Sequence, residues 1–261
     1  MACAAIACAA LGCMEMPRTV EVEDLSGLER RYENPTATLP DRLAERVLES
    51  SSDNASLSQQ LDGLHVIYAA VTSAARRLAM QGDADALDLQ GTVEVEYACP
   101  GYGDEPTTSV DVGGAIYLTL NVQDSYVLRG AAGRAVGCRF KVESGDQGAR
   151  VELDSRLAID LGADTRIGTK LTTMLTVRLR DLEAHIRRDA LAGLVLNYDK
   201  YDFRVGNERI ETLIDMSTLA LGVPSFGTAV LIASRDGSLS LRERRGEWLC
   251  DRAEDSCELI R

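Results

Sequence analysis

The sequence predicts an α+β protein that is predominantly antiparallel β: a curved meander sheet, half-barrel or barrel, with one long amphipathic helix packed against it. Three observations predict it. Apolar residues recur at alternating steps of four and three from Leu57 to Leu78. From about Leu89 onward the apolar period changes to two, the mark of strands with one dry and one wet face. The runs are separated by short turns such as ESGDQGA, VGNE and RDGS, which suit hairpins.

The chain has 261 residues, 45% of them hydrophobic, enough to bury a sizeable core. Its net charge of −13 argues against nucleic acid as a partner and against broad electrostatic docking on anionic membrane. Lys141, Lys170 and Lys200 are the only lysines among 28 basic residues. That bias reads as the habit of a GC-rich genome, not as a functional basic patch.

The first element is the opening MACAAIACAALGC, uncharged until Glu15. Residues 2–13 are too short to span a bilayer, which takes roughly 20 apolar residues. They have the length of the apolar core and cleavage region of a secretory signal, and an upstream translation start would supply the basic segment. Ala10-Leu11-Gly12-Cys13 resembles the lipobox of bacterial lipoproteins, with Ala10 where that family favours Leu. The resemblance implies that Gly12 precedes the cleavage and that the Cys13 thiol receives a diacylglycerol. It further implies palmitate-type acylation and a membrane anchor in the bacterial envelope, in the periplasm or at the outer membrane. Met14 is not the acidic residue that retains such proteins at the inner membrane, which favours the outer one.

The cysteines agree with export. Of seven, Cys3, Cys8 and Cys13 belong to the signal and anchor, leaving Cys99, Cys138, Cys250 and Cys257. An even remainder in an exported chain reads as disulfides. Cys250 and Cys257 bracket the short loop DRAEDS and suit a local bridge; Cys99 and Cys138 suit a cross-strand or inter-loop one. A zinc site is disfavoured, since there is no C-x-x-C pair and no nearby His. Trp248 is expected to pack on the Cys250–Cys257 bridge.

Residues 1–13 are thus assigned as signal remnant with lipobox, 14–55 as a polar tether with a short helix, and 56–261 as a single helix-plus-β-sheet domain. The tether carries Pro17, Pro35, Pro40 and the run SSSDNAS. Its short helix starts with Pro40 as first helical residue and shows Leu43, Val47 and Leu48 on one side. The long helix begins at a capping box of Ser56 and Gln59 and stops at Gly82. Its stripe is Leu57, Leu61, Leu64, Tyr68, Val71, Ala75 and Leu78.

Nine or ten strands follow. Thr92 to Tyr97 alternates cleanly. Ile116, Leu118, Leu120 and Val122 share one face, as do Val136, Cys138, Phe140 and Val142. Val151, Leu153, Leu157, Ile159 and Leu161 point one way, with Arg150, Glu152, Asp154, Arg156 and Asp160 opposite. Thr169 to Asp189 reads as a strand through Leu179 followed by an irregular or helical piece. A helix with Leu171, Leu175, Leu179, Leu182 and Ile186 on one side is the competing reading. An aromatic content of 5% argues against the girdles of a transmembrane barrel.

No catalytic motif emerges. His65 and His185 lack a visible nucleophile or ligand partner and read as structural or surface residues. H-E-x-x-H, G-x-S-x-G and P-loop patterns are absent; Ser225 and Ser238 lack the framing glycine, and Gly101-Tyr102-Gly103 precedes no helix. Asp199 and Asp202 lack calcium-loop spacing, and Asp83, Asp85 and Asp88 read as a turn. Paired carboxylates for glycoside hydrolysis could meet only in three dimensions. No cofactor and no metal is predicted. The preferred reading is therefore a non-catalytic structural or interaction module, with membrane as partner through the lipid anchor and a lipid or a protein as further partner. The alternative is a carrier of an apolar ligand or lipid between sheet and helix. A hydrolase with an unidentified site ranks third.

Overall fold

The computed structural model describes residues 23–53, 55–82, 91–102, 113–123, 127–144, 147–161, 174–188, 191–216, 227–251 and 256–260. Three helices come first: α1 (Ser26–Glu33), α2 (Asp41–Asp53) and α3 (Ala55–Gly82). Then come β1 (Gly91–Ala98), β2 (Ala115–Gln123), β3 (Val127–Ser144), β4 (Gln147–Asp160), β5 (Leu175–Arg188) and β6 (Leu191–Val205). The sheet is completed by β7 (Arg209–Asp215), β8 (Thr228–Ser234), β9 (Leu239–Glu243), β10 (Gly246–Asp251) and β11 (Ser256–Ile260). Every strand pairs antiparallel with its sequence neighbours, giving one open sheet of eleven strands in the order of the chain. The predicted meander is present, with one or two strands more than expected. A closed barrel is not: β1 and β11 are its two edges.

Helix α3 covers the stretch where the periodicity predicts a helix, and it touches β1, β2, β3, β6, β7 and α2, but the amphipathic pattern expected of it is not shown. Its burial is wider than the predicted stripe. Leu64, Tyr68, Val71, Ala75 and Leu78 are buried, and so are Val66, Ile67, Ala70 and Ala74; Ala69, Arg76 and Arg77 are exposed. The side chains of Leu57 and Leu61 lie outside the described residues. An element contacted by five strands and another helix has little wet surface left, so a single apolar stripe under-describes it. Ile67 and Val71 are fully buried, and burial of such a side chain contributes roughly 1.5–3 kcal/mol.

Two strands depart from the expected alternation for one reason. In β5, Leu175, Val177 and Leu179 are buried, and beyond Asp181 the buried set becomes Leu182, Ala184 and Ile186. Asp181 has φ 51°, and β5 holds one more residue than β4 between the pairs Arg156↔Arg180 and Asp154↔Glu183. This is a β-bulge. The extra residue turns a period of two into the steps 175, 179, 182, 186, which mimic a helix. The irregular or helical piece expected after Leu179 is therefore strand as far as Arg188. In β3 a bulge at Gly137, φ 52°, likewise leaves Val136 44% exposed. Val136 does not share the buried face of Cys138, Phe140 and Val142.

Residues 23–53 are not a tether. Leu25, Leu28 and Tyr32 are buried against Ala158, Val230 and Ile232 on one face of the sheet. The chain then crosses the strand ends: Thr36 and Ala37 donate backbone N–H to Thr228, and Arg244 donates to Ala37. On the other face Ala44, Val47 and Leu48 of α2 pack against Met216, Leu231, Leu241 and Trp248. The first helical bonds of α2 run from Leu43 and Ala44 to the Pro40 carbonyl, so Pro40 sits one residue before the helix. Polar composition hid this layer, because only every third or fourth residue of the segment is buried.

Candidate functional site

The predicted bridge between Cys99 and Cys138 is formed, with a Cα–Cα distance of 5.5 Å. It joins the end of β1 to β3, passing over the start of β2. Cys257 is disulfide-bonded and stands opposite Cys250 in the β10–β11 register. Trp248 is buried in the α2 cluster, where Cys257 also packs. Cys13, Asp83, Asp85, Asp88 and Ser225 lie outside the described residues. Ser238 donates to Asp236 across the β8–β9 turn, through its N–H at 2.9 Å and its hydroxyl at 2.7 Å. Such a hydroxyl holds a turn.

Three of the hollows that border the described residues bear on a site. The first, about 740 Å³, lies under the crossing segment and is lined by Glu33, Thr36, Arg242, Glu243, Arg245 and Ile260. Its charges are engaged in structure: buried Glu243 accepts from the Leu39 N–H and from Arg245 Nε, and Arg242 reaches Glu211 at 2.6 Å.

The second, about 410 Å³, is lined by His65, Val66, Tyr97, Phe140, Lys141 and Arg235. Burial, reinforced by Arg235, lowers the His65 pKa to about 4; a hydrogen bond with the Gly206 backbone and the charge of Glu208 oppose this. The ring is neutral at pH 7, and no Ser, Cys, Asp or Glu is among the lining residues. Glu208, the carboxylate whose charge the ring feels, is not among them, and the lowered pKa is a property of the buried ring. Its consequence is for stability. The unfolded ring titrates near 6.5, so between about pH 6.5 and 4 the unfolded state binds the extra proton. Stability is full above that window and falls as pH drops through it. His65→Phe is expected to flatten this part of the profile, by about 2 kcal/mol after discounting for the exposed part of the ring. Urea midpoints of both proteins at pH 7 and pH 4 check it; equal slopes would refute the burial of a neutral ring.

The third hollow is an apolar crevice of about 40 Å³ between α3 and β3–β6, lined by Leu64, Phe140, Leu153, Leu182, Leu196 and Tyr198. It is little larger than a water molecule.

The remaining predicted residues are surface or structural. His185 Nε2 is 2.7 Å from Glu183 Oε1, both well exposed. The Asp202 carboxylate accepts from Arg178 Nε and Nη2 at 2.7 and 3.0 Å and lies 3.3 Å from Lys200. Among the described residues no group of His, Cys, Asp and Glu has the arrangement of a metal site.

Sequence reasoning missed two charged constructions. Glu211, fully buried, meets Arg204, Arg209 and Arg242. Glu23 bridges Arg178 and Arg180, whose hydrogen bonds, that of Arg180 first, hold its carboxyl below the usual range despite partial burial. The first had a faint signal, a Glu directly after Ile210 in the mostly apolar run Ile210–Ile214; the second had none. No family model, no curated protein and no solved structure matches the chain.

Proposed function

We propose that this is an exported, lipid-anchored protein of the bacterial envelope, whose sheet curls around α3 as a half-barrel and acts as a non-catalytic structural or interaction module. The observation that carries the reading is the filled interior: α3 packs against both β1–β3 and β6–β7, and the apolar crevice beside it holds about 40 Å³, whereas a drug-sized ligand needs several hundred. Disulfides at Cys99, Cys138 and Cys257 support an oxidising compartment, with Cys250 as partner of Cys257. Cys13 carries the anchor.

The carrier reading keeps one observation in its favour. The crevice opens beside Phe140 and Gly63, which also line the 410 Å³ pocket, so a shift of one ring would join them.

Intact mass of the protein from its native membrane fraction tests the anchor. A diacyl or triacyl mass on a chain beginning at Cys13, lighter by two hydrogens per bridge, is expected. A chain retaining Met1 with free thiols and no lipid would refute it. Fatty acid released on denaturing the purified protein would favour the carrier over the module.

A further inference from the structure

The two edges of the sheet are guarded, and a third open side is not. On β1, Glu94 and Glu96 are exposed, and Arg77 Nη1 donates to the Glu96 carbonyl at 2.9 Å. The other edge, β11, is only five residues long. Charge, a capped carbonyl and brevity are means by which native sheets avoid edge-to-edge pairing. Strand β6 is different. It has 15 residues, and only Phe203, Arg204 and Val205 pair with β7. From Leu191 to Tyr201 its one partner strand among the described residues is β5. An antiparallel strand turns the N–H and C=O of alternate residues to each side, so this segment presents an open ladder roughly 36 Å long. Two exposed large hydrophobic residues stand on it, Val195 at 47% and Tyr198 at 43%. It contains no proline, and its single cation, Lys200, lies at one end, 3.3 Å from Asp202 Oδ2.

We propose that this side of β6 is a self-association surface, on which a second copy of the chain pairs its own β6 antiparallel and joins the two sheets. The inference rests on the interaction-module reading, to which it gives a partner, and is independent of the lipid anchor. Self-complementarity carries it, since a two-fold interface sets one patch against itself. A two-fold axis at Leu196 uses the whole open segment, with Leu191 opposite Tyr201 of the second copy. In that register Leu196 meets its own copy, Leu194 stands opposite Tyr198, and Val195 opposite Asn197. Asp199 falls opposite Gly193 and Lys200 opposite Ala192, so no like charges face each other to oppose the pairing. Moving the axis to Asn197 sets Lys200 against Leu194 and shortens the ladder; moving it to Asp199 sets that carboxylate against itself. The apolar crevice agrees. Leu196 and Tyr198 are among its lining residues, so a strand laid along β6 continues the inner face past them and covers Tyr198.

The test measures the dissociation constant of the full chain by sedimentation equilibrium, with Cys13→Ala to keep acyl chains out of the association. A monomer–dimer equilibrium is expected. Val195→Lys with Asn197→Lys sets like charges opposite each other twice in the proposed register and should raise the dissociation constant about tenfold or more. Val195→Glu with Asn197→Glu should do the same. An equimolar mixture of the two variants should restore the dimer, because each lysine then meets a glutamate. Tyr117→Lys with Val136→Lys, which removes comparably exposed apolar side chains from β2 and β3, should leave the parent value unchanged. All these positions are exposed, and circular dichroism confirms that the variants fold. A parent that stays monomeric at every concentration would overturn the proposal, as would a lysine variant that dimerises like the parent or a mixture that stays monomeric. Failure of the module reading looks different: fatty acid released on denaturation replaces module by carrier, whereas a monomer without bound fatty acid overturns the pairing and keeps the module.

Discussion

Replacing both Cys99 and Cys138 by alanine is expected to cost about 4 kcal/mol, the chain-entropy value for a bridge closing a loop of this length. The two cysteines are 39 residues apart, and that loop contains all of β2 and the first part of β3. Cys138 is fully buried and Cys99 nearly so. The bridge sits at the edge of the sheet, where β1 ends and the chain pairs directly with β3: Gly101 donates to Arg139, and Arg139 to Gly113. Backbones approach so closely there that a Cβ on Gly114, at φ +72°, would lie 2.0 Å from the Gly137 oxygen. Without the bridge this corner is held by few hydrogen bonds, and β1 has no partner strand beyond β2. Urea unfolding of the double variant should show the loss, and its melting temperature should fall by roughly 8–16 °C. A double variant within 1 kcal/mol of the parent would mean that the unfolded chain already keeps this loop closed. The double substitution is the right probe because added reductant would also open the bridge at Cys257.

The bridge was legible in the sequence because parity and export are independent arguments that meet on the same four cysteines. The meander was legible for a different reason. Val151, Leu153, Leu157, Ile159 and Leu161 are all buried, and a one-residue slip would expose the entire set. The errors fall where a local rule is broken by one inserted residue. At Asp181 a bulge converts strand spacing into helix spacing, and at Gly137 it turns Val136 outward. Period counting cannot see a bulge, because the count restarts one residue late. The layer formed by residues 23–39 was illegible for a third reason: Leu25, Leu28 and Tyr32 are too few for a periodic signal, and they are buried only because β8 offers a second apolar face. That face had a trace in the sequence. The run Ala229–Ala233 is apolar at every position, which is the mark of a strand covered on both sides.

Glu211→Gln is the other large effect, expected at about 3–5 kcal/mol, the range for removing one partner of a buried ion pair. The carboxylate is fully buried. Its Oε1 lies 2.6 Å from Arg242 and 3.0 Å from Arg209, and its Oε2 lies 3.4 Å from Arg204. The Arg204 guanidinium in turn faces the Tyr32 ring at 5.8 Å, so the N-terminal segment closes the site from water. Neutralising Glu211 takes from Arg204, whose side chain is 13% exposed, its ion-pair partner and leaves it the more distant charge of Glu29. It also leaves Arg242 with only Glu247, 3.9 Å away. The arginines are not equivalent. Arg209 is 46% exposed and can turn to solvent, so Arg209→Ser should cost less than 1 kcal/mol, as exposed pairs do. Arg242→Ser should fall between the two. Because α1 rests on this cluster, unfolding of Glu211→Gln should begin with release of the N-terminal layer, read as earlier hydrogen exchange at Leu28 and Tyr32 than in the parent. Equal costs for Glu211→Gln and Arg209→Ser would mean that the cluster is solvated and does not hold the layer. The expected order would make Glu211 the point where an otherwise polar segment is fixed to the sheet.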